Sequence, residues 1–236
     1  MAKHILIAGF EPFSGDKVNP SEMVARSFEG ALLSGRPVAV RVIPVETRNI
    51  RERFEQALLE DRPDIVLLLS QFGGRTALSI ERVAVNVLDF ESDNVGVARK
   101  NDVITRGGPE ARISNLPFSQ IVDAWNSAGV PGYISNTAGT FIGNQALYEA
   151  IALTENAVPP AIVGLVHLPY LPGQAIDAGA ETNPSMSFDL MKKGVEVMVG
   201  TLVPWVDGRT PEAAKAPRLG AKPGAWIPRG VKEVER

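Results

Sequence analysis

Short apolar runs alternate with amphipathic stretches along most of the chain, and this alternation predicts the order of its secondary structure. Runs at 4–9, 37–45, 64–70, 132–137 and 161–169 predict strands. Helical spacing of apolar residues predicts helices at 19–33, 48–61, 117–128, 143–155 and 185–203. Because strands and helices follow one another in turn, right-handed βαβ units are expected. We therefore predict a three-layer α/β sandwich, with a mostly parallel central sheet between two helical layers.

Two segments depart from this rhythm. Val83, Val85 and Val87 alternate with other side chains, which predicts a strand or one arm of a hairpin. Residues 91–113 are polar and contain adjacent glycines, so we expect an exposed excursion that holds a second hairpin arm. Residues 205–236 carry four prolines and mixed charge, which predicts an irregular C-terminal tail. The expected organisation is one α/β domain over 1–204, followed by this tail over 205–236.

Composition narrows the class of protein. The chain has 236 residues, of which 44% are apolar, and a net charge of −3. No basic excess suggests a nucleic-acid partner, and no apolar run is long enough for a membrane span. We expect a cytoplasmic protein with no nucleic-acid or membrane partner. The chain has no cysteine and two histidines, so disulfides and thiol catalysis are excluded, and neither a metal nor a cofactor is expected.

Polar and aromatic side chains follow several predicted strands, at the edge where ligands bind on open α/β sheets. Phe10 and Phe13 follow the first strand, and Gln71 follows the third. His167 lies near the end of the last strand, and Glu81 lies in the alternating segment. Each also has an ordinary structural interpretation, since Phe is common in cores and a buried His can be satisfied there. Residue patterns alone predict an α/β protein with a polar pocket.

The segment SNTAGTFIGNQALYEAI, residues 135–151, begins like the end of a strand and finishes like a helix. Such a strand-to-helix elbow presents a side chain to a pocket and directs backbone N–H groups to the same place. Here the elbow residue is Gly143, which has no side chain. The elbow therefore predicts a site without a reactive group.

Seven motifs occur in an order that resembles one known family. They are GFEPF, NPS, GGR, ERVAVN, SNTAGT, HLPYLP and NPSMS, and the match around them runs from about Lys3 to about Val199. In these motifs the chain resembles pyroglutamyl-peptidase I, the pyrrolidone-carboxylate peptidases. The resemblance implies a phosphorylase/hydrolase-like α/β fold and a cysteine peptidase that removes an N-terminal pyroglutamyl residue. It implies no cofactor, and it makes a homo-oligomer, a dimer or tetramer, the expected assembly.

The resemblance also assigns roles to individual residues. The Glu–Cys–His triad of the family falls on Glu81, Gly143 and His167, so the nucleophile position carries glycine here. A flat, uncharged lactam needs aromatic walls and a few hydrogen bonds. The residues that the resemblance places around it are Phe10, Phe13, Phe141, Ile142 and Gln71, with Asn19 supporting the loop.

A second departure from the family lies after ERVAVN. Family members usually carry an arginine there, near the developing oxyanion, whereas this chain has Phe90 and Glu91. Ser135 and Thr140 are hydroxyls near the elbow, but their motif positions are structural. We therefore expect hydrolysis to be absent or nearly so, because loss of a nucleophile typically removes about 10⁶ in turnover.

Several functional hypotheses remain open on the sequence. The first is a pseudoenzyme or binding module that recognises pyroglutamate or N-terminally pyroglutamylated peptides. The others are a hydrolase with an atypical nucleophile, an engineered knockout of an active peptidase, and a nucleoside-phosphorylase-like enzyme. The last would need a phosphate site, for which the chain offers no basic glycine-rich loop beyond GGR.

Overall fold

A seven-stranded sheet forms the centre of the molecule in the computed structural model, which describes residues 4–156, 160–179, 181 and 183–208. The strands are β1 (Ile5–Phe10), β2 (Leu32–Leu33), β3 (Arg36–Ile43), β4 (Ile65–Gln71), β5 (Leu78–Glu81), β6 (Val83–Val85), β7 (Leu88–Phe90), β8 (Arg99–Asp102), β9 (Ala111–Ile113), β10 (Gly132–Ser135) and β11 (Ile162–Leu168). The helices are α1 (Pro20–Arg26), α2 (Ile50–Asp61), α3 (Phe118–Ser127), α4 (Ile142–Thr154), α5 (Pro172–Asp177) and α6 (Phe188–Asp207).

The order of strands across the sheet is β10-β5-β11-β4-β1-β3-β2. The central strands β11, β4, β1 and β3 are parallel, whereas β5 runs antiparallel to β11 and β2 runs antiparallel to β3. Strands β1, β4 and β11 are buried along their whole length, which explains their continuous apolar sequences. The predicted mostly parallel α/β sandwich is confirmed.

Helices cover both faces of this sheet. One core cluster packs side chains of α1, α3 and α6 against one face, with Trp125 and Met198 fully buried. The other cluster packs α2 and α4 against the opposite face, with Phe54 and Tyr148 fully buried. Successive strand residues point to alternate faces, so each strand contributes to both clusters. The elbow before α4 therefore lies on the α2/α4 side of the sheet.

The segment that departs from the alternation forms two small antiparallel pairs. Strand β6 pairs with β9, and β7 pairs with β8, so the excursion over 91–113 supplies a second arm to each. The elements that the apolar pattern did not predict are short: β2 has two residues and α5 has six. Elements of this length carry too few apolar positions for a periodicity to emerge.

Several boundaries differ from the sequence prediction. Asn19 is the N-cap of α1, and its side chain accepts from the Ser21 N–H. The Glu22 carboxylate pairs with Arg26 one turn further along the helix. Helix α1 ends at Arg26, seven residues before the end of the predicted helix 19–33. Helix α6 continues through Asp207, three residues past the predicted end of the domain. The rest of the predicted tail, from residue 209, lies outside the described residues.

Candidate active site

The elbow joins β10 to α4 by a short loop. Gly139 takes a positive φ of 78° there, a conformation that favours glycine. Phe141 is the N-cap of α4, and no side chain caps the helix. The first intrahelical bond runs from Gln145 N–H to Phe141 O, at 3.1 Å. The N–H groups of Gly143 and Asn144 precede it, so they have no partner within the helix and remain available as donors.

Two strand ends bring Glu81 and His167 together. Strand β5 pairs antiparallel with β11, so that Glu81 lies opposite Leu165 and His167 lies opposite Ser79. This diagonal placement puts both side chains on one face, where His167 Nδ1 and Glu81 Oε1 are 2.8 Å apart. Because a carboxylate only accepts, Nδ1 carries the proton and Nε2 is left as the free basic nitrogen. Both residues are buried.

Arg75 and Phe72 complete the surroundings of this pair. Arg75 Nη1 lies 2.9 Å from Glu81 Oε1, while its guanidinium stacks 4.3 Å above the Phe72 ring. The Phe72 ring in turn meets His167 edge-on, with 5.1 Å between ring centroids. One carboxylate oxygen, Glu81 Oε1, thus has two partners, while Oε2 is buried without one. The imidazole is fixed by both a hydrogen bond and a ring contact.

The protonation state of His167 follows from its environment. Burial lowers the pKa of His167 below its ordinary value, and the charge of Arg75 acts in the same direction. The hydrogen bond and the charge of Glu81 oppose this shift without reversing it. His167 is therefore a neutral imidazole at neutral pH, which is the form that accepts a proton.

Gly143 faces the free nitrogen of His167. An ideal Cβ built on Gly143 would lie 3.3 Å from His167 Nε2 and 3.0 Å from Ser70 Oγ. Gly143 is the second residue of α4 and has no positive φ, so its backbone does not demand glycine. The positive φ of the elbow is at Gly139 instead. A side chain at position 143 would point at His167.

Aromatic side chains lie beside the elbow. Phe13 and Phe141 pack with their ring centroids 5.6 Å apart, and Phe10 and Ile142 are buried in the same α2/α4 core cluster. Phe90 extends this wall, since its ring meets Phe141 edge-on at 4.9 Å. The structure thus brings the four predicted apolar residues to the side of the sheet that carries His167.

Gln71 and Asn19 lie on the other side of β4. Gln71 Nε2 donates to Asp16 Oδ2 at 2.6 Å, and its Oε1 accepts from Gln174 Nε2 at 2.9 Å. The predicted contact of this carboxamide with a lactam would require exchange of one of these bonds. Asn19 Nδ2 donates to Glu11 O at 3.0 Å, which ties α1 to the loop after β1. Its predicted supporting role fits this contact.

The hydroxyls near the elbow divide into two kinds. Ser135 Oγ donates to Thr137 O, and Thr140 Oγ1 donates to Asp89 O at 2.8 Å, so both hold backbone in place. Ser70, which the sequence analysis missed, lies next to His167 in the parallel register of β4 and β11. Its only signal in the sequence is a polar residue at the end of the apolar run DIVLLLS.

The second departure from the family motif also has a structural outcome. Phe90 turns its ring toward Phe141, whereas Glu91 is exposed after the end of β7. The cation nearest to the triad is Arg75, and it is paired with the acid. Among the described residues, no group of three or more His, Asp or Glu side chains could hold a metal ion. None of the described helices has the length and apolar character needed to cross a bilayer.

Comparison with known proteins decides the family. A model of the pyroglutamyl peptidase family matches residues 3–204 of the chain. The chain belongs to the pyroglutamyl peptidase family. It is 36% identical over 198 residues to a pyrrolidone-carboxylate peptidase of Pyrococcus furiosus, covering 83% of this chain and 95% of that one. It is 37% identical over 198 residues to pyrrolidone-carboxylate peptidase 1 of Ralstonia nicotianae, covering 84% and 91%.

Solved structures of pyroglutamyl peptidases agree with this assignment. A mutant pyrrolidone carboxyl peptidase from the hyperthermophile Pyrococcus furiosus superposes with a TM-score of 0.83 at 35% identity, covering 86% of this chain and 99% of that one. Structures of the same peptidase and its cysteine-free mutant give the same TM-score and coverage. The sequence resemblance is therefore confirmed, and the nucleoside-phosphorylase-like alternative is set aside.

Proposed function

We propose that this pyroglutamyl peptidase family member binds N-terminal pyroglutamyl groups beside the Glu81–His167 pair and has no thiol-peptidase activity. The observation that carries the proposal is the missing side chain at Gly143, next to the catalytic-type base. A side chain there would point at His167 Nε2, yet the chain has no cysteine anywhere. The site keeps a neutral base, an orienting acid and helix N–H donors. Hydrolysis is expected to be far slower than in a family member with the thiol.

The aromatic wall supports recognition of a lactam. Phe13 and Phe141 are partly buried against the α2/α4 core, in which Phe10 and Ile142 are buried. A small, flat and uncharged ring gains affinity from such surfaces, and a few polar groups fix its orientation. The N-terminal amine of an ordinary peptide is charged and would lose hydration in this apolar setting without a paired carboxylate. The pocket therefore favours pyroglutamyl over prolyl groups.

Isothermal calorimetry tests this proposal directly. Pyroglutamyl-alanine and prolyl-alanine are titrated into the unmodified chain and into Phe141→Ala. We expect the unmodified chain to prefer the pyroglutamyl peptide by at least about tenfold, which corresponds to roughly 1.4 kcal/mol. Phe141→Ala should lose most of this preference, whereas the exposed-site control Leu59→Ala should keep it. Equal affinity for the two peptides in the unmodified chain would refute a lactam-specific pocket.

The other parts of the functional hypothesis rest on the family. A homo-oligomer, a dimer or tetramer, and a cytoplasmic location stay predictions. A pseudoenzyme and an engineered knockout predict the same binding and the same lack of thiol chemistry. A hydrolase with an atypical nucleophile differs from both, because it predicts turnover that needs no thiol. The position of Ser70 beside His167 favours this last possibility.

A further inference from the structure

Ser70 lies where a substitute nucleophile would have to be. It is the next-to-last residue of β4 and pairs directly with His167 across the parallel register of β4 and β11. Paired residues of parallel strands project to the same face, so both side chains point toward α4. Ser70 Oγ and His167 Nε2 lie within 3.0 and 3.3 Å, respectively, of one point, the place of the missing Cβ of Gly143. The hydroxyl and the base therefore border the same small space.

Neither atom is committed elsewhere. Within the described residues, Ser70 Oγ and His167 Nε2 have no hydrogen-bond partner, and neither is among the fully enclosed side-chain atoms that lack one. Both atoms therefore remain accessible, as a nucleophile and its base must be if a substrate is to reach them. Ser135 and Thr140 show the usual arrangement, since each donates to a backbone carbonyl. Ser70 differs from them in that its hydroxyl is left open beside His167 Nε2.

A side chain at position 143 would also crowd Ser70. A Cβ at position 143 would approach Ser70 Oγ to 3.0 Å, closer than the 3.4–4 Å of an ordinary contact. Glycine leaves the Ser70 hydroxyl uncovered, so a substrate carbonyl can approach it from the open side of the elbow. The N–H groups at the start of α4, those of Gly143 and Asn144, are the donors nearest to this approach that could stabilise an oxyanion.

We propose that Ser70 is the nucleophile of a serine-type hydrolysis of pyroglutamyl peptides, which rests on the proposed binding of these groups. Ser70 Oγ forms a bond to the pyroglutamyl carbonyl carbon, and its proton passes to His167 Nε2. The C–N bond to the next residue then breaks, and His167 returns the proton to the departing amine. Water attacks the resulting ester, giving one proton to His167 while the C–Oγ bond breaks. That proton restores the Ser70 hydroxyl, leaving free pyroglutamate.

Steady-state hydrolysis of a fluorogenic pyroglutamyl arylamide tests this assignment. The unmodified chain should hydrolyse it slowly but above the buffer rate, and iodoacetamide should have no effect. Ser70→Ala should lower kcat/KM at least about 100-fold, a conservative expectation for loss of a nucleophile. Its affinity for pyroglutamyl-alanine in calorimetry should stay within about threefold. Thr154→Ala is the matched control, because it deletes a buried hydroxyl that bonds within α4, at the end away from Gly143.

A thiol exchange provides a gain-of-function readout. The chain has no cysteine, so Ser70→Cys introduces the only thiol. Its hydrolysis should become sensitive to iodoacetamide, with a single alkylated residue at position 70. For the unmodified chain, an acid-quenched reaction with a pyroglutamyl aryl ester should show one added pyroglutamyl group, located on Ser70 by peptide mapping.

The outcomes separate this inference from the proposed function. Binding of pyroglutamyl-alanine without hydrolysis by the unmodified chain would overturn the nucleophile assignment and leave the binding proposal standing. The same holds if Ser70→Ala retains full turnover, or if Ser135→Ala or Thr140→Ala removes turnover while Ser70→Ala does not. Absence of binding by the unmodified chain would remove both.

Discussion

A single methyl-sized space separates Gly143 from Ser70, and this crowding determines how a restored thiol would behave. Gly143→Cys supplies a thiol at a helix N-terminus, where the dipole favours thiolate, within reach of His167. Its Cβ, however, would press on Ser70 Oγ at 3.0 Å, whereas Ser70 Cβ lies at an ordinary 3.5 Å. Removal of the hydroxyl alone should therefore relieve the contact.

We expect Gly143→Cys to hydrolyse pyroglutamyl arylamides with sensitivity to iodoacetamide, and the double variant Gly143→Cys/Ser70→Ala to exceed it in kcat/KM by about three- to tenfold. The reason is the relieved contact, about 1 kcal/mol in the barrier. Ser70→Ala alone serves as the control, since it has neither nucleophile. If the single and double variants had equal kcat/KM, position 143 would be free of steric competition.

The lowered pKa of His167 makes both stability and turnover depend on pH. Burial lowers its pKa, so the folded state takes up a proton at lower pH than the unfolded chain does. The unfolded state binds more protons in that interval, and stability therefore falls as pH decreases below about 6.5. Hydrolysis that uses neutral His167 as the base should likewise lose rate only at pH values below about 6.5.

Proton NMR measures this titration cleanly, because the chain has only His4 and His167. In His4→Asn one histidine remains, and its midpoint should lie below 6.5, the ordinary value. Glu81→Gln should move the midpoint further down, since the charge of Glu81 raises the pKa of His167. A midpoint at or above 6.5 in His4→Asn would contradict the buried, neutral imidazole.

At the scale of elements, one side chain fastens the elbow helix to the small strand pairs. Asn144, in the first turn of α4, accepts from Val85 N–H and donates to the carbonyls of Val85 and Val87. Thr140 adds a bond to Asp89 O just before the helix. The position of the helix N-terminus, and with it the donors near Ser70, thus depends on the segment that departs from the βαβ alternation.

Asn144→Ala should lower the free energy of unfolding by about 2–4 kcal/mol, because it leaves three partly buried backbone groups of β6 and the following loop without partners. Urea denaturation measures the change, and Asn126→Ala on the exposed side of α3 is the control, expected within about 0.5 kcal/mol. A change in Asn144→Ala no larger than in the control would mean that packing alone holds α4.

Among the helices and strands, apolar periodicity predicts some elements and not others. The long strands and helices follow from apolar periodicity, because burial on both sheet faces demands it. The pairing of β8 with β7 and of β9 with β6 does not follow from periodicity. Its register depends on tertiary contacts of polar residues such as Arg99 and Asp102. Helix α5 was missed for a related reason, and its Gln174 is what binds the Gln71 carboxamide.

For the whole molecule, the sequence predicts which residues form the candidate site but not the distances and orientations of their side chains. Motif order brought Glu81, Gly143 and His167 together, and the structure places them around one space. Ser70 could not be found this way, since its role depends on the register between β4 and β11, which are 97 positions apart at the pair Ser70 and His167. The orientation of Gln71 away from His167 depends on the same alternation of strand faces.

The predicted oligomer is tested on the whole chain. Leu32, Leu59 and Ile176 each expose more than two thirds of their surface, and large apolar side chains in such positions are candidates for burial between subunits. Sedimentation velocity should show a dimer or tetramer at micromolar concentration. The variants Leu32→Lys, Leu59→Lys and Ile176→Lys identify the contact, because a charge placed within it should shift the chain toward monomer. A monomeric unmodified chain at all concentrations would refute the prediction.

The crowding between a side chain at 143 and the hydroxyl at 70 also bears on descent. If an ancestor carried a thiol at 143, the serine at 70 would have crowded it, so the favourable order is loss of the thiol first and gain of the hydroxyl afterwards. The path back is then conditional: cysteine at position 143 reaches its full activity only after Ser70 is lost. In a lineage with both changes, the crowding of one methyl-sized space would disfavour a return to the thiol.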